Sequence, residues 1–257
     1  MKYNPNSVSK RYDQIADEED RQEKHHTLRA EIPREFIKKY LKKTDVVFDA
    51  GGGTGINAIQ MARKCRHVTL LDISPKVLEH AKRNVKKARL TKKIEIIKGD
   101  ISNLSLFKNG SFSFVVCVGD AISYVLGNRF KAMRELTRVA KKGSIIVLGC
   151  DSKYGFMRLY LSKGNLKETI IINKINETYC EMGPRTHVYS IDEMKRLLMD
   201  YGWKVLEIAS TPTITDTVEK SKFYSKWADL KKLEMELCTR PELLGVGNHL
   251  LFIAKKE

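Results

Sequence analysis

Three aspartates at the ends of successive apolar runs are the residues of this chain best suited to chemistry. Asp49 opens the stretch Asp49-Ala50-Gly51-Gly52-Gly53-Thr54-Gly55, in which glycine returns at every second position from Gly51. Glycine is tolerated where the backbone must take positive φ or let something come close, so this loop is built around a guest. Asp72 follows Leu70-Leu71, and Asp100 follows Ile96-Ile97-Lys98-Gly99. A carboxylate at Asp49 can meet an ammonium group in a charge-assisted contact worth roughly 1.5 to 3 kcal/mol. One at Asp72 can accept both hydroxyls of a ribose, and one at Asp100 can accept from an exocyclic amine of a base, with Ile73 and Ile101 flanking the ring. Plainer readings stand beside these: Asp72 as the N-cap of a helix starting at Ser74-Pro75, Asp100 as the cap of a turn, and the isoleucines as core.

Such carboxylates act together only if their strands end on one edge of a sheet. Apolar runs predict strands at 45–50, 67–72, 94–98, 112–118 and 144–150, with helices at 55–64, 75–88 and 127–140 between them. That alternation implies a parallel sheet covered on both faces. The rhythm breaks between Asp151 and Ser190, then resumes with a helix at 191–201, a strand at 203–209, a charged helical stretch around 217–239 and a last strand from Asn248 to Ala254. Residues 1–43 read as one or two amphipathic helices, with Pro33 in the first turn of the second. The expected plan is one domain, 1–257: a helical lid (1–43), a cofactor-binding half (44–150), two cap insertions (151–190 and 211–246), and segments 191–210 and 247–257 completing the sheet.

In an open parallel sheet, ligands settle at the carboxyl ends of the strands, and a helix N-terminus there favours an anionic group. Two guests compete for the loop: a dinucleotide pyrophosphate, or the aminocarboxypropyl end of S-adenosylmethionine. Gly53-Thr54-Gly55 can open a weak dinucleotide pattern, but a carboxylate ahead of the glycines repels pyrophosphate and favours an ammonium.

The chain resembles the class I S-adenosylmethionine-dependent methyltransferases from about Tyr12 to Lys255. The resemblance is carried by Tyr12-Asp-Gln-Ile-Ala16, Val47 to Gly55, Leu71-Asp-Ile-Ser74, Lys98-Gly-Asp-Ile101, Phe112 to Val118 and Arg134 to Val147, where Lys142 replaces a proline common in relatives. It implies a Rossmann-like, doubly wound α/β fold: a seven-strand sheet, mostly parallel with an antiparallel last strand, helices on both faces, and helical caps. It also implies S-adenosyl-L-methionine as cofactor and no metal. Tyr12, Asp49, Gly51, Gly53, Gly55, Asp72, Ile73, Asp100, Ile101 and Gly119 would bind the cofactor.

The segment Gly119-Asp120-Ala121-Ile122-Ser123-Tyr124 would face the acceptor. It lacks the Asn-Pro-Pro-Tyr and Asp-Pro-Pro-Tyr patterns of planar-amine methylation and is similar to the matching segment of glycine N-methyltransferase and related small-molecule enzymes. Asp120 could orient or deprotonate an amine or hydroxyl, Tyr124 could line the pocket, and His187 could shape it. His25 and His26 sit in a polar stretch, and Phe223-Tyr224-Ser-Lys-Trp227 reads as the packing face of a helix. The expected reaction is in-line displacement of a methyl group onto N or O of a small molecule. The alternatives are an RNA or protein methyltransferase, a non-catalytic S-adenosylmethionine-binding module, and a nicotinamide (NAD)-dependent oxidoreductase.

The net charge of +16 raises the question of nucleic acid. Its excess lies between 46 and 150, largely in the run Lys82 to Lys93, where cations complement a helix C-terminus at the sheet edge opposite the cofactor. A nucleic-acid partner is therefore not favoured over a small-molecule acceptor. Five cysteines without a CxxC pair suggest neither zinc nor disulfides, and nothing resembles a signal peptide or a membrane span, so a cytoplasmic setting is expected.

Overall fold

The computed structural model describes residues 2–24, 27–180, 184–215 and 225–257. Two helices come first, α1 (Pro5–Lys24) and α2 (Leu28–Tyr40). The alternating part follows as β1 (Val46–Ala50), α3 (Ile56–Ala62), β2 (His67–Asp72), α4 (Pro75–Lys87), β3 (Ile94–Lys98), β4 (Phe112–Cys117), the short α5 (Ala121–Tyr124), α6 (Arg129–Val139) and β5 (Ala140–Asp151). The remainder is α7 (Lys153–Ser162), α8 (Leu166–Ile175), the hairpin β6 (Glu177–Tyr179) and β7 (Arg185–His187), α9 (Ile191–Asp200), β8 (Trp203–Thr211), α10 (Trp227–Leu237) and β9 (His249–Lys256).

The seven-stranded sheet runs β3-β2-β1-β4-β5-β9-β8, and β9 is antiparallel to both its neighbours. Strand alternation divides the core between its faces. In β1, Phe48 packs with Phe107, Phe112, Ile146 and Trp203 on one side, while Val47 packs with Val68, Phe114 and Val147 on the other. Burial on both faces explains the near-continuous apolar strands. The order reverses between β1 and β4, so the crevice outside their carboxyl ends is the expected ligand position.

Helix ends are satisfied by the residues the sequence offers. Ser74, not Asp72, is the N-cap of α4, accepting from the Val77 N–H at 3.2 Å. Lys93, from the basic run, donates to the carbonyls of Ala62 and Cys65 at 2.7 and 2.8 Å beyond α3, at the amino end of the strands and away from the crevice. Pro33 lies inside α2 rather than in its first turn, because Thr27 caps the helix earlier by accepting from Ala30. β5 begins at Ala140, ahead of the expected 144, since Ala140 pairs with Phe112 before the register shift in β4. Of the expected helix at 217–239 the structure gives α10, whose Trp227 packs beside α2 and donates to Glu31 at 3.3 Å; Phe223 and Tyr224 lie outside the described residues.

Two glycines let the chain entering β9 approach α7 on one side and the segment after β8 on the other. A Cβ on Gly155 would lie 2.2 Å from the Gly247 carbonyl oxygen, and one on Gly247 only 1.9 Å from that of Pro212. Backbone cannot move aside as a flexible side chain can. Gly247→Ala should therefore lower unfolding stability by about 1–3 kcal/mol in urea titration, and an unchanged midpoint would show that the contact can relax.

Candidate active site

The glycine loop leaves β1 and folds back over β2. The N–H groups of Gly51 and Gly52 both donate to the Leu71 carbonyl, at 2.8 and 3.1 Å. Gly51 has φ of 74° and a Cβ there would meet the Ala121 Cβ at 2.7 Å; Gly53 has φ of 56° and a Cβ would lie 2.1 Å from Glu23 Oε1. Side chains are excluded from this loop by conformation and by space.

Asp72 sits at the end of β2 on the wall of a cavity of about 1040 Å³. Its Oδ2 accepts from the Gly53 N–H at 3.1 Å and its Oδ1 from the Ser74 N–H at 2.9 Å, so it also fixes the loop. Burial pushes its carboxyl up, with those backbone donors opposing. Asp100, beyond β3, accepts from the Ser102 N–H at 2.7 Å and from the Tyr3 hydroxyl at 2.9 Å. Ile73, Ile101 and Gly119 are also on the wall. Asp49 and Gly55 are not: Asp49 is buried beneath the loop, and Gly55, φ 83°, caps α3. Asp49 Oδ2 nevertheless has no hydrogen-bond partner, and burial, with Glu23 and Asp72 nearby, pushes its carboxyl up to about 8.

The roof comes from α1 and α2. Tyr12, Glu19 and Glu23 of α1 and Arg29 of α2 line the cavity. Hydrogen bonds from Ser9 to the Ile73 carbonyl (3.1 Å), Ser74 to Asp13 (2.6 Å) and Asn84 to Asp20 (2.8 Å) hold α1 down on α4 and the end of β2. Glu23 rests on the loop, accepting from the Thr54 N–H at 3.2 Å and its hydroxyl at 2.7 Å, and burial pushes its carboxyl up to about 7. Tyr3, Glu19 and Glu23 were missed in the sequence because a roof made by a distant segment leaves no local spacing.

The residues fit a nucleoside-linked amino acid on three counts. A buried carboxylate oxygen lacks a donor beneath the loop, the loop leaves no room for a Cβ at Gly51, Gly52 or Gly53, and carboxylates stand at the ends of β2 and β3. Asp72 would hold the ribose, Asp100 with Ile73 and Ile101 the base, and Asp49 with the Gly51–Gly53 backbone the amino-acid end.

The other end of the cavity is built around Asp120, which has φ of 66° between Gly119 and α5. Arg29 Nη2 lies 2.9 Å from Asp120 Oδ2, and His249 Nδ1 lies 3.1 Å from the same oxygen and 3.3 Å from Asp151 Oδ1. The Thr186 hydroxyl donates to the other Asp151 oxygen. Burial alone would push the Asp120 carboxyl up, but His249 and Arg29 outweigh it and hold it well below the usual carboxylate range. Burial pushes Asp151 up, and Asp120 adds to that. Asp120 is thus held as a carboxylate between Arg29 and His249. Tyr124 reaches the wall and meets the Tyr12 ring edge-on at 5.8 Å between centroids. His187 does not reach the wall: β7 turns it toward Glu193, with Nε2 2.7 Å from Oε1, and its ring packs on Tyr189. His25 and His26 lie outside the described residues.

His249 was missed in the sequence because it reads as one residue of a strand. What brings it here is the antiparallel register of β9 on β5, which sets His249 opposite Asp151. That pairing depends on strand order.

Comparison with known proteins finds methyltransferases. The methyltransferase domain family matches residues 47–143. Ribosomal protein L11 methyltransferase of Thermotoga neapolitana is 35% identical over 50% of this chain and 46% of its own. Magnesium-protoporphyrin O-methyltransferase of Rhodobacter capsulatus is 30% identical over 47% of this chain and 51% of its own. The chain thus spans about half the length of these two relatives. Among solved structures, the methyltransferase held in a complex with the Trm112 methyltransferase activator of Haloferax volcanii superposes with a TM-score of 0.68, at 17% identity and 97% coverage of both chains, which shows a shared fold. No helix among the described residues is long and apolar enough to cross a membrane. Residues 47–143 thus match a methyltransferase domain, and the proteins it resembles indicate S-adenosyl-L-methionine as its cofactor.

Proposed function

We propose that this protein transfers the methyl group of S-adenosylmethionine to an N or O atom of a small molecule held at the Asp120 end of the cavity. The observation that carries this reading is the roof: α1 and α2 cover the cavity, and α1 is fastened by hydrogen bonds to α4 and the end of β2, a shape suited to a compact acceptor. When bound, the cofactor supplies a methyl group already activated on a sulfonium. The protein's task is then alignment, which can account for roughly 7 to 11 kcal/mol of barrier reduction, and exclusion of water. Tyr12, Arg29 and Tyr124 line the space for the acceptor, and α1 with α2 acts as the lid.

Calorimetry should show binding of S-adenosylmethionine and S-adenosylhomocysteine and none of NAD. Incubation with methyl-labelled cofactor and fractionated cell extract should place label in the small-molecule fraction. Label in RNA, with an affinity that falls steeply with salt, or label in protein, would replace this reading with a macromolecular one.

A further inference from the structure

We infer that His249 accepts a proton at the acceptor end, so that the methyl acceptor is an amine or alcohol that arrives carrying one. The inference rests on the methyl-transfer reading and adds a class of substrate to it.

Nδ1 is the enclosed nitrogen of the ring. It lies between Asp120 and Asp151, aligned for a hydrogen bond with neither, so the contact is one of charge shared by two carboxylates. That field favours a proton on Nδ1 and leaves the lone pair on Nε2, to which no described residue is bonded. The ring lines the cavity, and its remaining exposure is only 12%, so Nε2 serves the cavity rather than bulk water. Other groups are less suited. Asp120 is held by Arg29, Asp151 is fully buried, and burial raises Tyr12 and Tyr124 well above the usual phenol range, which keeps them as donors.

Charge also balances. With both carboxylates ionised, Asp120 and Asp151 face one guanidinium, and a proton on His249 completes neutrality. In the step, the acceptor's N–H or O–H bond breaks and its proton passes to Nε2. A lone pair on that N or O forms the bond to the methyl carbon, and the carbon–sulfur pair stays on sulfur. The sulfonium charge is thus replaced by an imidazolium charge, without any further reactant.

Arg29 from α2, Asp120 at the start of α5 and Asp151 on β5 are the ionisable groups acting on the ring. Burial and Arg29 favour the neutral ring, while the two carboxylates outweigh them and raise it above its ordinary value. Base catalysis needs the neutral form, so turnover should rise with pH through that raised value.

The first test needs no acceptor. Nitrogen NMR of the imidazole rings in protein bound to S-adenosylhomocysteine, with His249 assigned through His249→Gln, should show the Nδ1–H tautomer and a titration above that of a free histidine. The titration should fall in Asp120→Asn and in Asp151→Asn. The Nε2–H tautomer, or a ring indifferent to both substitutions, overturns the inference. In the second test, a pool of amines, alcohols and phenols is given with methyl-labelled cofactor. His249→Gln should lower turnover a hundred- to ten-thousandfold and remove the acid limb of the pH profile, with calorimetric affinity for S-adenosylmethionine unchanged. A retained limb, loss of affinity in step with turnover, a rate restored by divalent cations after chelation, or no transfer to the pool by wild type overturns it. Intact cofactor binding in that last case leaves the methyltransferase domain standing.

Discussion

Asp72→Ala is expected to weaken S-adenosylmethionine binding by about 1.5 to 3 kcal/mol, roughly ten- to a hundredfold in Kd, by calorimetry. The carboxylate has two tasks, since it holds the Gly53 and Ser74 N–H groups and stands on the cavity wall where ribose hydroxyls would meet it. Alanine removes both. Asp72→Asn separates them, because its amide oxygen can still accept from one backbone donor while the charge is lost. A large loss with alanine and an intermediate one with asparagine supports the ribose assignment. Equal affinity for wild type and alanine variant would mean that the sugar lies elsewhere.

The second large effect is on stability against pH. Glu23 is raised to about 7 and Asp49 to about 8, both first of all by burial. Between the ordinary carboxyl range and those values the folded protein binds more protons than the unfolded chain. Stability of the cofactor-free protein therefore falls as pH rises through that window, by on the order of 3 kcal/mol for Glu23 alone. Urea midpoints should be higher at pH 5.5 than at pH 8, and Glu23→Gln should flatten the trend; an equally steep slope in the variant would sink the assignment. Cofactor binding should reverse part of it. A bound ammonium above the loop, acting on the buried Asp49 beneath it, would favour the carboxylate, so binding is expected to release a proton, seen as a calorimetric enthalpy that varies with the ionisation heat of the buffer. Asp49→Asn should abolish that dependence.

The cofactor half was legible because its determinants are local. Asp49, Asp72 and Asp100 each end an apolar run, and parallel strands joined by helical crossovers must end on one edge, so spacing along the chain became proximity in space. The roof and the acceptor end were not. Tyr3 reaches Asp100 across the sequence, Glu23 reaches Thr54, and His249 reaches Asp151 through antiparallel pairing. Asp120 was found, but its partners Arg29 and His249 were not, because an ionised carboxylate gripped by a distant guanidinium looks the same in a sequence as a free one. His187 drew notice as a histidine in an insertion, but it pairs with Glu193 in the first turn of α9, away from the cavity wall.

The placement of β9 between β5 and β8 carries a consequence for synthesis. Every residue proposed above to hold the cofactor lies at or before Gly119, although the core beneath them is completed by later residues such as Trp203 and Phe252. The imidazole opposite Asp151 comes almost last, and with it the means to take up a proton. A chain lacking that strand would miss both the imidazole and the part of the core that β9 shares with β1.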